Sequence, residues 1–281
     1  MNIKELEQEY IQSLNQFYDS EESKSIFYLA ATSILKVTQS ELLVKKDKVL
    51  VPRDTDALIK VLHSLKTGKP VQQVLGEAFF YGLSLKINED VLIPRPETEE
   101  LVDWVIKEIK DKKESVLDIG TGSGCIPIAI KKTLPSVKVS ALDISVQALK
   151  VATANASLNE ADIEFIEADI LNYSSDKKYD VIVSNPPYIR QLEKADMQEN
   201  VLAHEPHSAL FVSDEDPLIF YNAISDFALN NLNPDGYLFF EINEFLWAET
   251  LQILIDKPFK NIELRKDMQG KDRMIMARTN P

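Results

Sequence analysis

The stretch Asn185-Pro186-Pro187-Tyr188 gathers a carboxamide, a prolyl carbonyl and a phenol within four residues. It follows Tyr179-Asp180-Val181-Ile182-Val183-Ser184, a short β-branched run that reads as a buried parallel strand. Two consecutive prolines have no N–H to give, so they can neither extend a strand nor enter a helix from within the sheet. The chain must leave the sheet after Ser184, holding Asn185 and Tyr188 on a stiff loop at its carboxyl edge, where open α/β sheets bind ligands. The plainer reading is a strand-ending turn, since Asn and Pro are common turn residues. The residues upstream separate the two readings.

Val116-Leu117-Asp118-Ile119 runs into Gly120-Thr121-Gly122-Ser123-Gly124 and then into a helix pattern. Glycines there permit positive φ and let backbone N–H groups approach a ligand. The spacing is G-x-G-x-G rather than the G-x-G-x-x-G of dinucleotide binders. Asp143 ends the next strand, nineteen residues beyond Gly124, where a carboxylate can accept both hydroxyls of a ribose. The competing role for Asp143 is a helix N-cap. Asp169 and Ile170, past the third strand, are placed to meet an adenine amino group and ring. Glycine loop, Asp143, Asp169 and Asn185 on four successive strand ends point together to an adenosyl cofactor.

Positioning these residues requires alternating strands and helices. Strands are expected near 115–119, 137–143, 162–167, 180–184, 236–242, 261–266 and 273–278, with helices over 122–133, 145–158, 217–231 and 244–256. This alternation predicts an α/β fold with a mostly parallel seven-stranded sheet. The connection Lys266 to Asp272 is too short for a crossover helix, so the last strand should be antiparallel. Residues 1–70 read as a small helical bundle for substrate recognition. Ile3, Leu6, Tyr10, Leu14 and Phe17 share one helix face, and Ile26, Leu29, Ala30 and Ile34 another behind a cap at Asp19 or Ser20. Thr38 and Glu41 have capping-box spacing, and Asp54 is the expected cap of a fourth helix through Leu58, Val61, Leu62 and Leu65. Residues 71–93 read as a linking β-hairpin, with Leu83, Leu85 and Ile87 on one strand, a turn at Asn88-Glu89-Asp90, and Val91-Leu92-Ile93 on the other. Residues 94–281 form the third segment, its first helix carrying Leu101, Val102, Val105 and Ile109 on one face.

The formal net charge is −14. The Lys pairs 45–46, 131–132 and 177–178 do not merge into the basic stripe that nucleic-acid binders use against phosphates, which argues against direct DNA contact. One cysteine, Cys125, precludes an internal disulfide framework. No apolar run approaches the ~20 residues of a membrane span, and no secretory leader pattern is visible, so a cytoplasmic protein with no membrane association is expected. His63, His204 and His207 lie in no metal-ligand spacing, so no metal is expected. Cys125 reads as a buried small hydrophobe, and Trp104 and Trp247 as packing residues.

The glycine loop with its acidic strand end resembles class I S-adenosylmethionine-dependent methyltransferases, which have a Rossmann-like fold. The Asn-Pro-Pro-Tyr tetrad narrows the resemblance to those that methylate planar amino or amide nitrogens. Pro70-Val71-Gln72-Gln73-Val74-Leu75-Gly76, Val91 to Glu99, Ser184 to Ile189, Glu205-Pro206 and Arg265 to Arg273 resemble the bacterial peptide chain release factor glutamine methyltransferases, the HemK family. The resemblance spans about residues 70–278. Ile170 stands where that family often has an aromatic residue, and Asn243 where it usually has Gly.

The resemblance implies methyl transfer from S-adenosylmethionine to the glutamine amide of a Gly-Gly-Gln motif in release factors; separately, a monomer is expected. It implies cofactor contacts from Gly120, Thr121, Gly122, Ser123, Gly124, Asp143, Asp169, Ile170 and Asn185. Catalysis would fall to Asn185, Pro186 and Tyr188, with Pro187 joining them around the substrate. The Asn185 side-chain oxygen and the Pro186 carbonyl would accept the two amide N–H groups, and the Tyr188 ring face would meet developing positive charge. Arg95, Glu97 and Thr98 are candidates to line the methionine end of the cofactor, against a plainer reading as an ion pair and a helix cap. The alternatives are a DNA adenine N6-methyltransferase, which uses a similar tetrad, and a non-catalytic nucleotide-binding module, which would need no tetrad.

Overall fold

The computed structural model describes residues 1–109, 114–197 and 199–280. The chain divides into two compact units, Met1–Glu77 with Gln198–His204, and Ala78–Met197 with Glu205–Pro281.

The first unit contains α1 (Ile3–Leu14), α2 (Ser20–Leu35), α3 (Gln39–Val44), α4 (Pro52–Leu65) and α5 (Val71–Leu75). The first three helices begin where short polar side chains can satisfy free N–H groups. Asn2 and Glu5 form a capping box on α1, Thr38 and Glu41 another on α3, and Asp19 accepts from Glu21 and Glu22 on α2. The start of α4 differs from the expected Asp54 cap. The helix begins at Pro52, with Val51 at the N-cap and no side-chain cap. Proline suits the first helical position because its φ is already helical and the N–H it lacks would be unpaired there. Leu6, Tyr10, Leu14, Phe27, Leu58 and Leu65 are fully buried together, and the Tyr10 hydroxyl donates to the Leu58 carbonyl at 2.6 Å. Phe17 lies beyond the end of α1, and Phe17 and Leu29 are both exposed.

The hairpin is displaced from its expected position. Its strands are β1 (Glu77–Phe80) and β2 (Leu83–Lys86), turning at Tyr81 and Gly82, both at positive φ as a type I′ hairpin turn requires. Asn88 to Asp90 instead make an Asx turn, with Asp90 N–H donating to Asn88 Oδ1 at 3.1 Å, and residues 91–93 are not a strand. The segment 71–75 is helical, so the linking region is not a hairpin throughout.

The second unit continues with α6 (Pro96–Ile109), β3 (Ser115–Ile119), α7 (Cys125–Thr133), β4 (Lys138–Asp143), α8 (Val146–Leu158), β5 (Glu164–Glu167) and β6 (Tyr179–Ser184). Short elements between residues 189 and 212 lead to α9 (Ile219–Asn231), β7 (Leu232–Glu241), α10 (Trp247–Asp256), β8 (Lys260–Lys266) and β9 (Asp272–Arg278). The seven-stranded sheet has the order β8-β9-β7-β6-β3-β4-β5, and the last strand, β9, runs antiparallel to both neighbours. Successive residues of each strand face opposite cores. Val116, Val183 and Phe239 pack with α6 and α7, while Leu117, Ile182 and Phe240 pack with α9.

β3 pairs with β4 on one side and β6 on the other. The crossover direction therefore reverses at β3, which makes its carboxyl end the crevice of the sheet.

Candidate functional site

Strand register places the chemistry in one line. Ile119 pairs with Leu142 and with Ser184, and Ser184 pairs with Phe240. One residue further on come Asp143 and Glu241, which end β4 and β7, and Gly120 and Asn185, the first residues past β3 and β6. The sequence alone placed Asp143, Gly120 and Asn185 near one edge; Glu241 joins them through the pairing of β6 with β7.

Gly120, Gly122 and Gly124 all have positive φ, and the last two serve different ends. A Cβ on Gly122 would meet nothing within 4 Å, so open space lies over the loop at that point. On Gly124 it would lie 3.1 Å from Ala152 Cβ and Ile128 Cδ1, so this glycine lets the loop pack on α7 and α8. Gly122 N–H donates to Asp143 Oδ2 at 2.8 Å and Ser145 N–H to Oδ1 at 2.8 Å, leaving each oxygen a further lone pair. Burial, opposed by these N–H donors, raises the Asp143 carboxyl above its ordinary range.

Asn155 of α8 is a support that sequence reasoning missed. Its Nδ2 donates to the Ser123 carbonyl at 2.9 Å and to the Lys86 carbonyl at 3.0 Å, and its Oδ1 accepts from Lys86 N–H at 2.6 Å. A single asparagine thus ties the glycine loop to β2. Beneath the loop, Asp118 is fully buried, and neither oxygen has a hydrogen-bond partner. Burial pushes its carboxyl up to about 7, and the Asp143 charge adds to the rise.

This arrangement fits an adenosyl cofactor carrying a sulfonium and an amino group. The open approach over Gly122, the spare lone pairs of Asp143 and the orphaned Asp118 carboxylate match its polar and cationic ends. Asp169 is placed less simply. Ala168 N–H donates to the Asp143 carbonyl, so the segment lies alongside, but Asp169 Oδ1 accepts from Leu171 N–H at 3.0 Å and Oδ2 from Asn172 Nδ2 at 2.9 Å. Its carboxylate is thus engaged in a local Asx turn. Ile170 packs partly buried against the α9 side of the core.

On the other side of the loop, Asn185 Nδ2 donates to Thr98 Oγ1 at 3.2 Å, and Thr98 Oγ1 donates to Glu241 Oε2 at 2.7 Å. The Tyr188 hydroxyl donates to Glu241 Oε1 at 3.2 Å. Thr98 and Glu241 are buried, and burial raises the Glu241 carboxyl against the pull of Thr98, Arg273 and Tyr188. Burial, with the Glu241 charge second, raises the Tyr188 phenol far above its ordinary value. The hydroxyl of Tyr188 is thereby fixed as a donor within this network. Asn243 Nδ2 holds the Tyr188 carbonyl at 2.9 Å, a bond that glycine at this position could not make.

Of the residues considered for the methionine end, Arg95 pairs instead with buried Glu205 at 2.5 Å, and Glu205 also accepts from Ile93 N–H at 3.2 Å. Glu97 accepts from Gln269 Nε2 at 3.1 Å. Cys125 is buried, and burial pushes its thiol up to about 12. Trp104 packs edge-on against Phe239, whereas Trp247 is partly exposed. Among the described residues, no group of three or more His, Cys, Asp or Glu side chains is arranged to hold a metal ion, and no helix is long and apolar enough to cross a membrane.

Residues 98–213 match the family described as Methyltransferase small domain. A methyltransferase from Pyrococcus furiosus has the same fold, with a TM-score of 0.53 and 18% identity, covering 71% of this chain and 90% of that one. The hMettl16 catalytic domain, solved with an RNA hairpin, gives a TM-score of 0.55 at 19% identity, covering 71% of this chain and 76% of its own. The release factor glutamine methyltransferase of Flavobacterium psychrophilum is 46% identical over 98% of both chains. That of Bacteroides thetaiotaomicron is 40% identical over 95% of this chain and 96% of its own. With such similarity along almost the whole length, this chain belongs to the release factor glutamine methyltransferase family.

Proposed function

We propose that this protein transfers a methyl group from S-adenosylmethionine to the side-chain amide nitrogen of the glutamine in the Gly-Gly-Gln motif of peptide chain release factors. It acts in the cytoplasm as a monomer on a protein rather than on DNA, with residues 1–70 serving substrate recognition. The observation that carries the reading is the placement of Asn185 beside the glycine loop and Asp143, in a chain 46% identical to a release factor glutamine methyltransferase.

A carboxamide nitrogen is a poor nucleophile because its lone pair is delocalised into the carbonyl. The bound cofactor would supply a methyl group on positively charged sulfur, leaving the protein to orient and polarise the target. Gly120 to Gly124 with Asp143 would hold the adenosyl portion, Ile170 would border the adenine, and Asp118 would face positive charge. Asp169, with its side chain in a turn, would contribute through its neighbourhood rather than a free carboxylate. Asn185 Oδ1 would accept one N–H of the target amide and the Pro186 carbonyl the other, raising electron density on nitrogen and aiming its lone pair. Pro187 keeps this corner stiff. The carbonyl dipoles and the Tyr188 ring would stabilise the charge arriving on nitrogen. Holding both reactants in line contributes up to roughly 7–11 kcal/mol in ideal systems.

The test offers labelled S-adenosylmethionine with a release factor, its Gln→Ala form, and duplex DNA in parallel. Label on the unaltered factor alone is the expected result. Label on DNA, or on both factors equally, overturns the substrate assignment. Asn185→Ala should abolish most transfer, with cofactor affinity measured separately, and transfer within a few-fold of wild type overturns the role of Asn185.

A further inference from the structure

We infer that Thr98 and Glu241 are positioning residues that decide which end of the Asn185 carboxamide faces the reacting amide. The inference rests on the reading of Asn185 as an acceptor for the substrate.

A carboxamide can rotate by half a turn with almost no change of shape, exchanging its oxygen and its NH2 group. Packing alone therefore chooses poorly between the two orientations. Here the choice is made by hydrogen-bond capacity. Both Glu241 oxygens accept, taking the Thr98 and Tyr188 hydroxyls. The single hydroxyl proton of Thr98 is thereby committed to Glu241 Oε2. What remains at Thr98 Oγ1 is acceptor capacity, and the atom facing it at 3.2 Å must be a donor, Asn185 Nδ2. The reversed amide would set two acceptor oxygens against each other. Asn185 Oδ1 is consequently turned away from Thr98, and no described residue donates to it. This is the atom required to receive the N–H of a glutamine amide.

The chain runs Glu241 to Thr98 to Asn185, from the end of β7 through the first turn of α6 to the end of β6. Neither Thr98 nor Glu241 needs to touch the substrate. Their effect passes through the orientation of one side chain, so it should appear in turnover and not in cofactor affinity.

The experiment measures turnover, KM for the release factor and S-adenosylmethionine affinity for the wild type, Thr98→Val, Thr98→Ser, Asn185→Ala and the Thr98→Val/Asn185→Ala double variant. Valine keeps the shape of threonine without its hydroxyl; serine keeps the hydroxyl. Thr98→Val should lower kcat about tenfold or more, the scale of one lost polar contact, with cofactor affinity and thermal midpoint little changed. Thr98→Ser should recover most of that loss. Where Asn185→Ala leaves measurable turnover, adding Thr98→Val should cost almost nothing further, because the side chain it positions is gone. Equal kcat for the Ser and Val variants overturns the inference, as does a Thr98→Val penalty that persists undiminished without Asn185. The function itself is judged separately: a wild-type enzyme that leaves the release factor glutamine unmethylated defeats that reading, whereas an active wild type with indifferent Thr98 variants defeats only this one.

Discussion

Ser184 Oγ donates to the Ile119 carbonyl oxygen at 2.7 Å, and the Ser184 side chain is completely buried. The bond joins the last residues of β6 and β3, the two strands from which the Asn-Pro-Pro-Tyr corner and the glycine loop depart. A side chain thus adds to the backbone ladder where the ladder is about to end.

Ser184→Ala should lower unfolding stability by about 1–3 kcal/mol, the range for leaving a buried acceptor without its donor. Turnover should fall more than cofactor affinity, because the corner is displaced relative to the loop. Urea denaturation paired with methyl-transfer kinetics checks both; unchanged stability would mean that the backbone pairing alone fixes the two ends.

Asp118 gives a pH dependence whose sign follows from its raised carboxyl. Between the ordinary aspartate value near 4 and its folded value of about 7, the native state holds a proton that the unfolded state has lost. The contribution of Asp118 to stability is therefore complete below that window and declines as pH rises through it, by at most about 1.4 kcal/mol per pH unit. Asp118→Asn removes the titrating group. Without cofactor, thermal midpoints from pH 4 to 8 should show the wild type losing stability relative to the variant as pH rises. A relative gain would contradict the assignment.

Asn155→Ala deletes three hydrogen bonds that tie the glycine loop to β2. At about 1 kcal/mol for each typical bond, the loss should approach several kcal/mol. Cofactor affinity should weaken with it, because Ser123 is no longer held. Calorimetric titration with S-adenosylmethionine beside a denaturation curve measures the two effects.

Cys125 should resist alkylation. Burial keeps the thiol protonated, with its value at about 12, and the thiolate is the nucleophile. Native protein at pH 8 should react with an aromatic disulfide reagent far more slowly than denatured protein; equal rates would show the site to be open.

The features legible in sequence were those carried by neighbouring residues. The glycine turn, the double proline after a β-branched run and Asp143 at a strand end each have a local physical signature, as does the short Lys266–Asp272 connection that makes the last strand antiparallel. Partnerships made across the sheet had no such signature. Thr98 and Glu241 lie 143 positions apart, and they meet because β6 pairs with β7 while α6 packs over that face. Asn155 sat in a helix pattern with nothing to show that it reached Lys86. Asp169 was visible as a strand-end carboxylate, but its side chain satisfies its own turn. The hairpin was misplaced because Asn88-Glu89-Asp90 has stronger turn chemistry than Tyr81-Gly82, where a tyrosine adopts the left-handed region.

The row at the ends of β4, β3, β6 and β7 also separates harmless from harmful changes in length. Each of its members ends or directly follows a paired strand, so the connections between strands can grow or shrink further along without moving any of them. Removing one residue from within β6 would instead shift Asn185 out of line and turn alternate side chains to the opposite side of the sheet. The site should therefore tolerate insertions of many residues in connections away from the glycine loop and the Asn-Pro-Pro-Tyr corner, yet fail on loss of a single residue inside a strand.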